Sequence, residues 1–321
     1  MSILEAIRST LIDEMERDER VVLLGEDVGT LGGVFRVTRG LQDRFPSRVF
    51  DTPLAEGAIV GSTIGLAIGG LIPVAEIQFF GFTHQAFHQI GPQLARYRAR
   101  SRGRYNCQVT LRAPFGGGTR TPEFHPDSLE AQFAQAPGLK IVCPAFPDDA
   151  KGLLTTAIRD PDPVLYLEPQ RLYRAGRGRV PAGDHKVPIG VARMVRAGDD
   201  LTLVAWSSAV HLCLDAAREL EKTGAAVGVL DLRSITPFDV GGLVEAVSRS
   251  GKAVVVHEAA LTGGFGAEIV ATIQSEAFMS LDAPVLRVAG PDVPYPPGGL
   301  EDHFLPSLDR VVKAAQTTLQ F

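Results

Sequence analysis

The sequence predicts two open, doubly wound parallel-sheet α/β domains, on three observations. Short apolar runs alternate with helical stretches along the whole chain. The runs are apolar throughout instead of alternating, as strands are when helices cover both faces of a parallel sheet. The pattern stops at a charged, Gly/Pro-rich connector, "RAGRGRVPAGDHKVPIG", and restarts near Gly190. Domains of 1–188 and 189–321 follow, and 321 residues suit about two domains.

The chain opens on a helix. Ser2 and Glu5 have capping-box spacing, and Ile3, Leu4, Ile7, Leu11, Ile12 and Met15 fall on one face. "VVLLGED" (Val21–Asp27) reads as a buried strand, as do Pro73–Phe79, "VTLRAP", "LKIVCP" and Val164–Pro169. Helical stretches separate them at Ala58–Leu71 and Asp148–Asp160. The first of these is rich in small residues, too short to span a bilayer, and is expected to pack closely inside a soluble core. After the connector come "LTLVAWS", the helix "AVHLCLDAARELEKTG", "AVGVLDLR", "AVVVHEA", the helix "GAEIVATIQSEAF" and "PVLRVAG". That is a second open α/β unit.

Composition narrows the function classes. Hydrophobic residues at 45% and charged residues at 21% describe an ordinary soluble globular chain. A net charge of −5 argues against nucleic acid as a partner. The one basic run, "RYRARSRGR", reads as a solvated or subunit-contacting helix end. Cys107, Cys143 and Cys213 are far apart and odd in number, which fits a reducing compartment and no thiolate metal site. "MSILEAIRST" has no signal-peptide pattern and no window is apolar enough to span a bilayer, so a cytoplasmic location with no membrane attachment is expected.

Four stretches invite chemistry. "FGGGTR" lacks the Gly-Lys-Ser/Thr of a Walker loop, and Pro122 and Pro126 break any helix behind it, so it fails as a nucleotide cradle. It is either a flexible surface turn or a shaped loop presenting His125. "HQAFH" puts His84 and His88 at i, i+4, but Gln85 stands where a hydrolytic zinc motif needs glutamate, and exposed or subunit-facing histidines are the default. Glu56 opens the apolar helix. It is either a partner for the helix dipole or a functional acid altered by desolvation. Glu26, in "GED", lies at the carboxyl end of a predicted strand, the edge where open parallel sheets bind ligands.

Taken together, "LLGEDVG", "DTPLAEGAIVG", "VAEIQFFGF", "FGGGTRTPEFHPDSLEA" and "DAKGLLTTAIRDPDPVLYLEP" resemble one family. It is the beta subunit of the thiamine-diphosphate-dependent decarboxylating component of 2-oxo acid dehydrogenase complexes, of the pyruvate and branched-chain type. "DLRSITPFD", "VVVHEAALTGGFGAEI" and "APVLRVAGPDVPYP" continue the resemblance through the second domain. It implies a pyrimidine-binding domain followed by a transketolase C-terminal-like domain. The implied reaction decarboxylates a 2-oxo acid on thiamine diphosphate and reductively acylates lipoamide of the acyltransferase component. By resemblance, Glu56 bonds the aminopyrimidine ring and drives loss of the thiazolium proton. Glu26 lies on a carboxylate and water path joining two active sites, Phe82 contacts the cofactor, and His125 serves the lipoyl sulfur and intermediates.

No GDG segment occurs, so an alpha subunit is expected to hold magnesium and the diphosphate, in a heterotetramer of two alpha and two beta chains. The resemblance also implies a structural potassium ion at Val109, Ala157, Ile158, Asp160 and Asp162, held mostly by main-chain carbonyls. Two departures stand out. Pro126 follows His125 where relatives usually carry serine, and Phe82 stands where branched-chain enzymes often have tyrosine. "EIQFFGF" and "RTPEFHPDSLE" look closest to bacterial pyruvate enzymes, whereas "LVAWSSAVH" and "HEAALTGGFGAEI" look more like branched-chain and acetoin enzymes. An acetoin dehydrogenase beta subunit is the alternative.

Overall fold

The capping box forms. In the computed structural model, which describes residues 1–321, the Ser2 hydroxyl accepts the Glu5 N–H at 3.2 Å and the Glu5 carboxylate accepts the Ser2 N–H at 2.9 Å. Two donors without helical partners are thereby satisfied, and helix α1 runs Ile3–Arg17. Its stripe of Ile3, Leu4, Ile7, Leu11 and Met15 is buried, with Ile12 partly so.

The chain separates into two compact units, Met1–Phe115 with Gln132–Ile189, and Gly116–Ala131 with Gly190–Phe321. Elements up to the connector are α1, β1 (Val21–Gly25), α2 (Leu41–Arg44), β2 (Val49–Asp51), α3 (Glu56–Ile68), β3 (Ile72–Glu76), α4 (Tyr97–Arg100), β4 (Thr110–Phe115), α5 (Glu130–Ala134), β5 (Lys140–Val142), α6 (Pro147–Arg159) and β6 (Val164–Pro169). The first unit's strands lie in the order β5-β6-β4-β3-β1-β2, each paired parallel with its neighbour. Every residue of β1, β3, β4 and β6 is buried, as uninterrupted apolar runs require.

Arg112, mid-strand in β4, is the exception in chemistry. Fully buried, it donates from Nη1 to Glu76 Oε2 at 2.9 Å and from Nε to Glu168 Oε1 at 2.7 Å, and the Tyr173 hydroxyl donates to Glu168 Oε2 at 2.5 Å. Burial opposes the guanidinium's charge, but Glu168 and Glu76 outweigh it and keep it protonated. Burial pushes Glu76 above the usual carboxylate range, against the pull of Arg112.

The second unit contains β7 (Arg193–Arg196), β8 (Leu201–Ala205), α7 (Ser208–Glu221), β9 (Val227–Asp231), β10 (Ser234–Thr236), α8 (Val240–Ser250), β11 (Ala253–Ala260), α9 (Gly266–Glu276), β12 (Leu286–Gly290), α10 (Glu301–Phe304) and α11 (Leu308–Leu319). Its sheet order is β12-β11-β8-β9-β7.

Two expectations need correcting. The second sheet is mixed, because β7 pairs antiparallel with β9 along its edge. "RMVR" is nowhere fully buried and has an arginine at each end of a two-residue apolar pair, so it carries no buried-run signal. Helix α3 is not enclosed either. Glu56, Ile59, Val60 and Thr63 are buried, whereas Ala58, Ser62, Gly65 and Ile68 are exposed, and Leu54 just before the helix is 80% exposed. An apolar helix with one bare face is unfinished as a core element. No helix of the chain is long and apolar enough to cross a membrane.

Candidate active site

In the first unit, strands β1 and β3 run side by side with Gly25 opposite Glu76, so Glu26 emerges at the carboxyl edge of the sheet. Glu26 is 2% exposed, and neither carboxylate oxygen has a hydrogen-bond partner. Burial first, and then the negative charges of Glu56, Asp27 and Glu76, together raise its pKa to about 7. Glu56 is the first residue of α3 and is 5% exposed, following Ala55, which offers no capping side chain. The chain thus gathers buried acids where an open parallel sheet presents ligands. Acceptor-only oxygens without donors suit a ligand that brings N–H groups or a basic ring nitrogen.

After β3, residues Phe80–Ala86 form a 3₁₀ helix and Gln89–Ala95 a π-helix that contains Pro92. Phe82, half-buried, meets Phe79 edge to face at 5.9 Å. This segment lies against α3: a Cβ on Gly57 would come within 3.3 Å of the Gln85 carbonyl. His84 and His88 are exposed, and His88 Nε2 contacts Gln93 Nε2 at 2.9 Å. No group of three or more His, Cys, Asp or Glu side chains is placed to hold a metal.

The five positions implied for potassium do share one neighbourhood. The Val164 N–H donates to the Val109 carbonyl at 2.9 Å, Gln108 Nε2 to the Ile158 carbonyl at 2.8 Å, and the Asp160 N–H to the Ala157 carbonyl at 3.3 Å. The carboxylates there are already matched. Lys140 Nζ lies 2.6 Å from both Asp160 oxygens, and Arg98 pairs with Asp162 at 2.9 Å. A further cation would therefore meet carbonyl oxygens, each with a second lone pair to offer.

The glycine loop belongs to the second unit. The chain leaves β4 at Phe115, and Gly116–Ala131 packs with the second unit although it precedes residue 189. Gly116 and Gly118 have φ of +81° and +93°, and a Cβ on Gly117 would lie 2.2 Å from the Tyr295 hydroxyl. The Gly118 and Arg120 N–H groups converge on one acceptor, as N–H groups do in an anion-binding nest, while the Gly117 N–H turns to another. The anions are the chain's own: Gly117 N–H donates to Glu258 Oε2 at 2.8 Å and Gly118 N–H to Glu301 Oε1 at 2.9 Å. The loop is no phosphate cradle because carboxylates fill it.

Downstream, His125 is half-buried, with Nδ1 3.0 Å from the Glu123 carbonyl. A carbonyl only accepts, so this contact places a proton on Nδ1 and leaves Nε2 the basic nitrogen of the neutral ring. Phe124 before it takes φ of +69°, and Pro126 after it is buried. Glu130 anchors the loop's far end, accepting from Trp206 Nε1 at 3.1 Å. Neither Glu258 nor Glu301 was legible as part of this loop. The first lies in the quoted run "HEAALTGG" without any local signal, and the second in "GGLEDHF".

Glu130 yields a stability prediction. Burial raises its pKa from the ordinary 4.5 to about 7, against the bond from Trp206, and its Oε2 is unbonded. The folded state then holds a proton that the unfolded chain releases, so stability should fall as pH rises from 4.5 to about 7. The loss from this group is at most about 3 kcal/mol. Glu130→Gln should flatten the dependence in denaturant titrations at stepped pH, and an unchanged slope would place the pH dependence elsewhere.

Residues 1–176 match the family "Transketolase, pyrimidine binding domain" and residues 190–311 match "Transketolase, C-terminal domain". The chain is 48% identical to the pyruvate dehydrogenase E1 component subunit beta of Bacillus subtilis over 322 aligned residues, covering 100% of this chain and 99% of that one. The subunit of the same name from Staphylococcus aureus is 47% identical with the same coverage. Among solved structures, a split-gene transketolase described as an inactive beta4 tetramer superposes with a TM-score of 0.82 at 25% identity, covering 100% of this chain and 98% of that one. Campylobacter jejuni transketolase gives 0.72 at 17% identity and covers 99% of this chain but 46% of its own, a likeness of fold. With both domain families in order and full-length relatives at this identity, the chain belongs to the beta subunits of thiamine-diphosphate-dependent 2-oxo acid dehydrogenases, the E1 beta family.

Proposed function

We propose that this chain is the beta half of a pyruvate dehydrogenase, holding the pyrimidine end of thiamine diphosphate and serving acyl transfer to lipoamide. The observation that carries the reading is the buried pair Glu26 and Glu56, with the Glu26 oxygens unbonded, at the carboxyl edge of the first sheet. When bound, thiamine diphosphate supplies a nucleophilic carbon and an electron sink for decarboxylation. Glu56 would accept a hydrogen bond from a ring N–H of the pyrimidine and hold that proton on the nitrogen, in surroundings dry enough to strengthen the bond. Glu26, with its pKa near 7, can take up or pass a proton at working pH. Phe82 supplies an apolar wall, and His125 serves as the proton donor at the lipoyl sulfur.

Magnesium and the diphosphate fall to an alpha subunit, in an assembly of two alpha and two beta chains. The bare apolar face of α3 supports a partner chain there. A potassium ion at Val109, Ala157, Ile158, Asp160 and Asp162 would be structural, held by carbonyls between strand starts and the end of α6. The lipoyl-bearing acyltransferase is the second partner.

Co-expression with an alpha chain tests the reading. The assembled enzyme should release carbon dioxide from pyruvate faster than from branched-chain 2-oxo acids. Acetoin has no carboxylate to lose, so acetoin turnover without carbon dioxide release would contradict the pyruvate assignment. By calorimetry, the beta chain alone should bind thiamine diphosphate feebly.

A further inference from the structure

The glycine loop's main chain is held by two side chains from distant parts of the second unit. Glu258, on β11, accepts the Gly117 N–H at 2.8 Å and also the Ser208 hydroxyl. Glu301, the first residue of α10, is 1% exposed and accepts the Gly118 N–H at 2.9 Å, the Arg120 N–H at 3.2 and 3.3 Å, and the Tyr295 hydroxyl at 2.7 Å. Hydrogen bonds to an ionised acceptor are about twice as strong as neutral ones. Arg120 adds an exposed ion pair to Asp302 at 2.9 Å and a bond to the Gly298 carbonyl at 3.3 Å. Arg120 itself takes φ of +55°, a conformation unfavourable for a side-chain-bearing residue. Between these anchors and Glu130 runs the arm Thr121 to Ser128, folded on itself by the His125 N–H to the Pro122 carbonyl at 3.3 Å and the Asp127 N–H to the Phe124 carbonyl at 3.4 Å.

We propose that Glu258 and Glu301 are positioning residues, a pair of carboxylate latches that close the glycine nest and thereby set where His125 stands. The inference rests on His125 acting in acyl transfer. The glycines fit this close approach: a Cβ on Gly116 would meet Glu258 Oε2 at 2.7 Å, one on Gly117 would strike Tyr295 and Leu305, and Gly118 takes φ of +93°. A glutamine at 301 could keep one acceptor, but its amide N–H₂ would face another N–H donor. The latch would then lose both its charge and one bond.

The test uses the enzyme assembled with its alpha subunit, carrying Glu301→Gln or, as an independent way to open the loop's anchorage, Gly117→Ala, whose Cβ would displace the Tyr295 hydroxyl that donates to Glu301. Three quantities are read: the rate of tryptic cleavage after Arg120, decarboxylation with an artificial electron acceptor, and reductive acylation of a free lipoyl domain. Both variants should speed the cleavage, retain most decarboxylation, and lower kcat for acyl transfer about 10- to 100-fold with little change in KM. Adding Glu301→Gln to His125→Ala should cost almost nothing more, because the two act through one group. Unchanged cleavage in both variants would overturn the latch. An equal loss of transfer with and without His125 would overturn positioning, since a general destabilisation would be additive. If His125→Ala alone left transfer intact, the role of His125 would fail, while faster cleavage would still establish that the carboxylates hold the loop.

Discussion

Glu56→Gln should leave the protein folded and able to assemble, and should lower 2-oxo acid decarboxylation on the order of 10²-fold or more. The carboxylate stands 5% exposed at the start of α3, so its bond to a pyrimidine nitrogen would form in low dielectric, where water does not compete. An amide has the same shape but no charge to hold a proton on its partner. Folding should survive for two opposing reasons. The helix loses a favourable dipole partner worth about 0.3–1 kcal/mol. Glu26, in turn, loses the repulsion from Glu56 that helps raise its pKa. An almost unchanged rate would show that Glu56 is a helix-terminal charge and nothing more.

His125→Ala should separate the two half-reactions of the assembled enzyme. Decarboxylation followed with an artificial acceptor needs Glu56 and the cofactor but no lipoyl group, so much of it should remain. Reductive acylation of a lipoyl domain needs a proton donor at the sulfur and should fall roughly 10²–10⁴-fold. The contact of Nδ1 with the Glu123 carbonyl supports that role, since it leaves Nε2 as the nitrogen that exchanges protons. Equal losses in both assays would restrict His125 to shaping the loop.

What the sequence showed, and what it hid, divides by the range of the interactions. The α1 stripe and its capping box were legible because they join residues within one or two helical turns. The runs of β1, β3, β4 and β6 were legible because burial on both faces writes itself as continuous apolar sequence. Edge strand β7 was not, since a half-exposed "RMVR" looks like a connector. Arg112 was hidden for a different reason: its partners Glu76 and Glu168 lie on neighbouring strands in space, 36 and 56 residues away in sequence. Glu56, Glu26 and His125 were singled out by their places at element ends and in the glycine loop. Glu258 and Glu301 were missed, because a carboxylate that accepts main-chain N–H groups 141 and 183 residues away leaves no local mark. The exposed face of α3 was misread because an apolar run does not say whether its own chain or another covers it.

The central claim is that a buried carboxylate of this chain activates a cofactor whose other end is held elsewhere. Deuterium exchange at the thiazolium C2 of thiamine diphosphate, in the assembled enzyme without substrate, tests it most directly. Exchange should be fast with Glu56 in place and slowed on the order of 10²-fold or more by Glu56→Gln, at saturating cofactor and with assembly intact. Exchange equally fast in both proteins would contradict the claim.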